Sequence, residues 1–202
     1  MSAAREKLLN TALDLFLHEG LQSVGIDRVV KLSGISKMTL YKYFPSKDHL
    51  IAECLQQYHS EIVSEIQQCI VSSPPMLEQK LFILLAWYRR KFVETPILGC
   101  IFVSAANLYT DIEHPVHQVC LVHKHMLIDM IAQLLGGFGY ANPRELAMQC
   151  LILFEGARNL YTIKVQGDSL ESATRVLLML LQQHRPQPQP HPSSSSPAPG
   201  EV

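Results

Sequence analysis

Charged residues are scarce in this chain of 202 residues, and neither sign of charge predominates. Lys and Arg number 17 and Asp and Glu 18, so the formal net charge is −1. This balance excludes a protein that binds its partner through bulk charge. Apolar residues make up 48% of the sequence, which excludes disorder throughout. Residues 1–50 nevertheless carry a net charge of +2 and residues 51–202 a net −3, so we expect any nucleic-acid contact near the N-terminus.

Cysteines and long apolar runs are also few. The five cysteines are odd in number, widely spaced and without a C-x-x-C pair, a pattern typical of reduced thiols in a cytoplasmic protein. No apolar run approaches the ~20 residues that span a bilayer, and the N-terminus lacks the apolar stretch of a secretory signal. We therefore expect a cytoplasmic protein, associated with the nucleoid if it binds DNA, and no membrane partner.

Motifs for catalysis, cofactors and metals are missing as well. The sequence has no P-loop, G-x-S-x-G, H-E-x-x-H or G-x-G-x-x-G, so neither an enzyme nor a cofactor is expected. His114 and His117 are followed by His123 and His125, but the last two point to different sides of a helix. All four cannot converge, and no Cys or carboxylate completes a tetrahedral set nearby. We expect solvated histidines and no metal site.

The sequence does have segments with helical periodicity, and Gly and Pro residues separate these segments. The predicted fold class is all-α, with Ser36 and Ser46 as helix caps and Gly20 and Gly34 as helix ends. Residues 186–202 are rich in Pro and Ser and are predicted to be a disordered tail. The predicted helices are 5–19, Ile26–Leu32, Lys37–Tyr43, a helix from Ser46 to Ser72, Met76–Glu94, Gly99–Tyr109, Pro115–Leu135, Pro143–Val165 and Ser169–His184.

Residues 26–44 have the form of a helix-turn-helix, in which the second short helix enters the major groove. We expect Leu40, Tyr41 and Phe44 to pack inward. Lys47, at the next helix start, could clamp a phosphate. The candidate DNA-binding residues are Arg28, Ser36, Lys37, Met38, Thr39, Tyr41, Lys42, Tyr43 and Lys47.

The residues of this region resemble the DNA-binding head of the TetR/AcrR family. The matching features are Gly20 after the first helix, the turn Gly34-Ile35-Ser36, then Thr39-Leu40-Tyr41, Phe44 and Ser46-Lys47-Asp48-His49-Leu50. The chain departs from many members at Gly25, which lacks a phosphate-binding hydroxyl, at Val30, and at Met38, where a small residue is common.

The resemblance implies a helix-turn-helix domain over residues 1–50, a linker helix over 46–72, and a helical effector-binding and dimerisation domain over 51–185. It also implies a homodimer paired through the last two helices, which binds a palindromic DNA operator, more often as a repressor, and releases it when an unidentified small molecule binds. We expect Cys54, Leu55, Tyr58 and Ile62 to face the body and transmit this change. The candidate effector-binding residues are Trp87, Tyr88, Phe92, Phe102, Asn107, Tyr109, Met126, Met130, Arg158 and Tyr161.

Three alternatives stay open from the sequence alone. Cys100 follows Gly99 at a predicted helix start, where the helix dipole could make its thiol reactive, so the same frame could act as a thiol or redox sensor. A helical interaction module without DNA binding is the second alternative, and an enzyme without a recognisable motif is the third.

Overall fold

The computed structural model describes residues 2–94 and 99–185, except the side chains at positions 78 and 92–94. Helices and no strands occur in this part of the chain, which confirms the all-α prediction. The tail at 186–202 and the side chain of Phe92 lie outside the described residues. The helices are α1 (Ala3–Glu19), α2 (Ile26–Ser33), α3 (Lys37–Tyr43), α4 (Lys47–Ser72), α5 (Leu77–Glu94), α6 (Ile101–Leu108), α7 (Pro115–Gly137), α8 (Pro143–Thr162) and α9 (Ser169–Gln183).

The ends of the short helices follow from local side-chain and backbone chemistry. Ser36 accepts a hydrogen bond from the Thr39 backbone N–H at 3.2 Å, and Ser46 accepts one from that of His49 at 3.0 Å. Both serines therefore satisfy N–H groups that a helix start leaves unpaired. Gly34 has φ = 68°, a left-handed conformation that suits glycine and ends α2.

The helix-turn-helix packs around Leu40 and Phe44, which are fully buried with Phe16 of α1. The expectation that Tyr41 packs inward is wrong, because its side chain is 43% exposed. Tyr43 is half-buried instead, and its hydroxyl donates to Ser2 Oγ at 2.9 Å. Since residues are about 100° apart around a helix, Tyr43 lies about 60° from Leu40, whereas Tyr41 lies about 100° away.

Helix α4 belongs to the head and the body at once. On its head side, Glu53 pairs with Arg5 at 2.6 Å, and the Cys54 thiol donates to the Leu9 carbonyl at 3.6 Å. Cys54 therefore faces α1, and the expectation that it faces the body is wrong. Further along, the Tyr58 ring stacks on Phe102 of α6 with centroids 6.0 Å apart. One buried apolar cluster runs continuously from α1 through α4 into α5, α6 and α7.

Helices α7, α8 and α9 form the far half of the body. Helix α7 packs against α4, α6 and α8, and α8 packs in turn against α9. A second apolar cluster, which includes Leu77, Leu135, Leu146 and Leu177, joins α5 to these three helices. Helix α7 is long enough, and on average apolar enough, to span a bilayer, although polar and charged residues interrupt it and it contains no continuous apolar run. In this fold α7 packs as a body helix among α4, α6 and α8.

A pair of histidines connects α4 to α7. The Nδ1 atoms of His59 and His123 lie 3.0 Å apart, and the His123 ring stacks on Phe102 with centroids 3.6 Å apart. Burial, together with the nearby charges of Lys124, His59 and Arg158, lowers the pKa of His123 to about 3. Burial also lowers the pKa of His59. His123 is buried, so the expectation of solvated histidines is wrong at this position.

The buried His123 predicts a specific loss of stability in acid. Its pKa is about 3 in the folded protein, whereas in the unfolded chain the imidazole titrates near its ordinary value of about 6.5. The unfolded state therefore takes up the proton first. As far as His123 is concerned, the free energy of unfolding has its full value above about pH 6.5. It falls towards pH 3 by up to about 1.4 kcal/mol per pH unit.

Urea unfolding followed by circular dichroism between pH 8 and pH 4 measures this loss. His123→Gln should flatten the dependence of the unfolding free energy on pH below pH 6.5. The matched control is His125→Gln, since His125 lies exposed on the same helix and should keep the wild-type slope. An unchanged slope in His123→Gln would contradict a buried neutral imidazole.

Candidate DNA-binding surface and effector cavity

The outward face of α3 gathers most of the predicted DNA-binding residues. Lys37, Met38, Tyr41 and Lys42 are exposed, with Met38 at 83% exposure, and Thr39 is half-buried. The Thr39 and Ser36 hydroxyls lie 2.9 Å apart, so Ser36 is occupied as the helix cap. This face therefore presents two ammonium groups, a phenol, a thioether and a hydroxyl, which are groups able to contact phosphates and base edges.

Two of the basic groups near α3 are held by exposed carboxylates. Lys37 Nζ lies 2.8 Å from Asp27 Oδ1, and Arg28 Nη2 lies 2.9 Å from Glu19 Oε1. The hydrogen bond to Asp27 raises the pKa of Lys37, and the hydrogen bond to Glu19 raises the pKa of Arg28. Exposed pairs of this kind contribute little stability, so a DNA phosphate could replace either carboxylate at small cost.

Lys47 and Gly25 complete the surface at two helix starts. Lys47 is the first residue of α4 and is half-buried. Gly25 precedes α2 without a side-chain cap, and a Cβ added there would meet nothing within 4 Å. A hydroxyl-bearing residue would therefore fit at Gly25, so the missing hydroxyl reflects the sequence and not a lack of space.

A cavity of about 510 Å³ lies in the body beneath the head, within the usual range for small-molecule sites of roughly 300–1,000 Å³. Along α7 its lining residues recur at helical intervals, from His123 and Lys124 to Leu134. Met126 lies off this stripe, and Tyr161 is exposed on α8. Tyr109 is also not among the lining residues. The predicted effector-binding residues that do line the cavity are Trp87, Tyr88, Phe102, Asn107, Met130 and Arg158.

Sequence reasoning missed two members of a polar cluster in the cavity wall, Lys124 and Glu155. Lys124 Nζ lies 2.5 Å from Glu155 Oε1 and 3.4 Å from Cys100 Sγ. Burial lowers the pKa of Lys124, but Cys100 and Glu155 more than offset it, so the net shift is upward and the amine stays protonated. The sequence does show a charged residue, Lys124, on an otherwise apolar stripe of α7, and another, Glu155, on α8. It does not show that these two side chains pair.

Tyr88 and Arg158 extend this cluster. The Tyr88 hydroxyl donates to the Phe154 carbonyl at 3.3 Å and also interacts with Arg158. Burial raises the pKa of Tyr88, so its hydroxyl is neutral. The cavity therefore combines a charged group of side chains with aromatic and aliphatic walls, an arrangement that suits an amphipathic organic molecule.

The cavity reaches the DNA-binding head at one end. The last residues of α1 and the turn that follows, including Phe16, Gly20 and Ser23, line it. A separate contact joins the α6–α7 connection to the start of α4, where the Tyr109 hydroxyl donates to Asp48 Oδ1 at 2.6 Å. Asp48 is the neighbour of Lys47 in the sequence, so this hydrogen bond joins the body to the edge of the candidate DNA-binding surface.

Helices α8 and α9 leave an apolar face exposed. Met148, Ile152, Gly156 and Leu160 follow one another at four-residue intervals along α8, and all four are exposed. A Cβ added at Gly156 would meet nothing within 4 Å. On α9, Val176 and Met179 are exposed one turn apart. A contiguous apolar face of this kind is typical of a protein interface.

Comparison with known proteins supports the same interpretation. Residues 8–54 match the family described as "Bacterial regulatory proteins, tetR family". The HTH-type transcriptional regulator YjdC of Escherichia coli (strain K12) is 23% identical over 172 residues, covering 85% of this chain and 90% of YjdC. The uncharacterized HTH-type transcriptional regulator YxaF of Bacillus subtilis (strain 168) is 41% identical over 83 residues, covering 40% of this chain and 43% of YxaF.

A solved structure extends the similarity over the body. SCO4454, a TetR-family transcriptional regulator from Streptomyces coelicolor, superposes with a TM-score of 0.81 at 27% identity, covering 90% of this chain and 95% of SCO4454. Regulators of this family are not enzymes, so the enzyme alternative is excluded. Residues 8–54 thus carry the DNA-binding head of the tetR family, and the chain as a whole is similar to TetR-family DNA-binding transcriptional regulators.

Proposed function

We propose that this protein is a homodimeric repressor that binds a palindromic operator in the cytoplasm, on nucleoid DNA, and is released by a small-molecule effector. The observation that carries the proposal is the cavity, which lies in the body and reaches the end of α1, a helix that packs against α3. A ligand in this position contacts both the body and the element that supports the DNA-binding helix.

In the proposed complex, α3 lies in the major groove, with Lys37 and Thr39 nearest to the bases. Lys42 and Lys47 contact phosphates, and Arg28 exchanges Glu19 for a phosphate. Tyr43 serves mainly to hold α3 against the N-terminus, since its hydroxyl bonds to Ser2. The head corresponds to residues 1–50, with 46–72 as linker helix and 51–185 as the effector-binding and dimerisation domain.

The dimer is proposed to form through α8 and α9. Two heads must contact half-sites about 34–36 Å apart on one face of the duplex, and one chain carries one head. The exposed apolar face of α8 and α9 supports pairing, because burying it removes several large side chains from water. Gly156 allows two copies of α8 to approach closely.

Release follows if the effector binds one head arrangement more tightly than the other, since only differential affinity shifts such an equilibrium. The cavity wall includes Tyr58 and Ile62 of α4 and the end of α1. A ligand that moves α4 and the head together, relative to the rest of the body, changes the spacing of the two heads in the dimer.

A thiol sensor within the same frame is a second candidate. Of the five cysteines, Cys100 lies in the cavity wall beside a lysine, 3.4 Å from Lys124 Nζ. Burial raises the pKa of Cys120 and of Cys150 to about 11 in each case, and also raises that of Cys54. These three thiols are therefore poor nucleophiles at neutral pH.

Lys42→Gln tests the DNA-binding surface. An operator is first selected from random duplexes, and affinity is then measured by fluorescence anisotropy at several salt concentrations. We expect about five- to tenfold weaker binding and a salt slope lower by about one, because one phosphate contact is lost. Lys164→Gln is the control, since Lys164 is an exposed lysine of the body. A second variant, Gly25→Thr, should bind the operator more tightly, because the open space at position 25 accommodates the threonine hydroxyl. Equal affinity and slope in Lys42→Gln would contradict the surface.

Ile152→Glu tests the dimer interface. A buried carboxylate at a paired apolar face is costly, so we expect monomers by analytical ultracentrifugation and loss of operator binding. Ile112→Glu is the matched control. Ile112 is 56% exposed in the α6–α7 connection, against 63% for Ile152, and its substitution should leave the dimer intact. A wild-type protein that is monomeric at all concentrations rejects the proposal.

Labelling with iodoacetamide at neutral pH tests the thiol candidate. If Cys100 is the sensor, it reacts faster than the other four cysteines, and Cys100→Ser protects operator binding from thiol reagents. Cys69 is the informative comparison, since it is also half-buried. A Cys100 that reacts no faster than Cys69 removes this candidate.

A further inference from the structure

Asp48, at the start of α4, contacts two aromatic side chains of the α6–α7 connection. The Tyr109 hydroxyl donates to Asp48 Oδ1 at 2.6 Å, and His114 Nε2 lies 3.8 Å from Asp48 Oδ2. The rings of Tyr109 and His114 stack with their centroids 4.5 Å apart. Each carboxylate oxygen of Asp48 therefore faces a different side chain of the body.

The body also holds these two aromatic residues in place. Tyr109 is half-buried, and its carbonyl oxygen lies 2.6 Å from His117 Nδ1. The Nδ1 atom of His114 accepts a hydrogen bond from the Val116 backbone N–H at 3.3 Å. Burial and the hydrogen bond to Asp48 raise the pKa of Tyr109, so its hydroxyl keeps its proton at neutral pH. The body thus fixes the donor, and the start of α4 carries the acceptor.

Helix α4 has a second attachment to the body, ten residues beyond Asp48. The Tyr58 ring stacks on Phe102 with centroids 6.0 Å apart, and His59 Nδ1 lies 3.0 Å from His123 Nδ1. Ten residues of an α-helix span about 15 Å. Two attachments separated by this distance fix the direction of the first part of α4, whereas the second attachment alone would leave it free to pivot.

The DNA-binding head follows the direction of this part of α4. Glu53 pairs with Arg5 at 2.6 Å, and the Cys54 thiol donates to the Leu9 carbonyl at 3.6 Å. Helix α1 in turn packs against α2 and α3. A pivot of about 10° around Tyr58 would displace the start of α4 by roughly 2–3 Å. In a symmetric dimer both heads would move in this way, so the separation of the two copies of α3 would change.

We propose that Tyr109 is a positioning residue for operator binding: its hydrogen bond to Asp48 fixes the angle of the head and so sets the half-site spacing that the protein accepts. This inference rests on the proposed function, because it requires a dimer that contacts two half-sites. The half-site spacing of an operator mirrors the distance between the two recognition helices. A head that can pivot therefore discriminates less between spacings.

Operators of different length test this role. An operator is selected with the wild-type protein, and one base pair is then added to or removed from its centre. Each change moves the half-sites by about 3.4 Å and turns one against the other by roughly 35°. We expect the full-length wild-type protein to prefer the selected operator by about tenfold or more, because contact with both altered half-sites requires distortion of the DNA. Affinities are measured by fluorescence anisotropy.

Tyr109→Phe removes the hydroxyl and keeps the ring. The preference for the selected spacing should fall by about three- to tenfold, because one hydrogen bond to a charged group is lost. Glu113→Gln is the matched control, since Glu113 is exposed in the same connection and its substitution should leave the preference unchanged. In an Asp48→Ala background, Tyr109→Phe should cause no further change, as a double-mutant cycle requires for a direct contact.

A duplex with a single half-site, measured at low salt, separates positioning from damage to the DNA-binding surface. Tyr109→Phe should bind this duplex as tightly as the wild-type protein does, whereas a distorted head would lose affinity for it.

The possible outcomes separate this inference from the proposed function. If Tyr109→Phe keeps the full spacing preference, or loses as much affinity for the single half-site as for the operator, the role of Tyr109 is overturned and the proposed function stands. A further loss of preference in the Asp48→Ala background would also overturn it, because Tyr109 would then act through another neighbour. If the wild-type protein binds all three spacings equally, the two-site function and the role of Tyr109 both fail.

Discussion

The packing of α4 against both α1 and α7 is the constraint on which the rest of the structure depends. Its head side buries Leu50, Ile51 and Cys54, and its body side carries Tyr58 and Ile62. Each large apolar side chain that is fully buried stabilises the fold by roughly 1.5–3 kcal/mol, so neither contact can be lost without partial unfolding. The position of α3 is therefore set by whatever fixes α4 in the body. This mechanical continuity supports the proposal that a ligand in the cavity beside α4 acts on the candidate DNA-binding surface.

Local chemistry explains why so much of the fold could be predicted from the sequence. The caps at Ser36 and Ser46 and the left-handed Gly34 depend only on residues three or four positions away. The helix boundaries follow from these signals and from Pro and Gly between the longer segments. The predictions that fail are those that depend on neighbours in the tertiary structure. Tyr41 and Tyr43 differ in burial because α1 covers one side of α3, and His123 is buried because α4 and α6 cover it.

The candidate sites show the same difference between features that local sequence predicts and features that depend on tertiary packing. The exposed face of α3, which carries most of the candidate DNA-binding residues, was predictable because a short helix with one buried stripe leaves its other residues outside. The cavity was only partly predictable, since helical periodicity identifies an apolar stripe but not which stripes surround a space. Met126 and Tyr161 illustrate this limit, because they lie on the correct helices but off the lining faces. The pairing of Lys124 with Glu155, 31 positions along the chain, depends on how α7 and α8 pack, which no local pattern specifies.

The position of the charged cluster also bears on how a ligand could act. Lys124, Glu155 and Arg158 lie on α7 and α8, and the exposed apolar face lies on α8 and α9. A ligand beside Glu155 and Arg158 therefore contacts α8, one of the two helices of the proposed dimer interface, and other parts of the cavity wall belong to α7, α4 and the end of α1. Because the interface is the fixed reference in a symmetric pair, any ligand-dependent displacement is taken up by α4 and the heads. Under the proposed function, an effector would then change the spacing between the two copies of α3 and leave the pairing of the two chains intact.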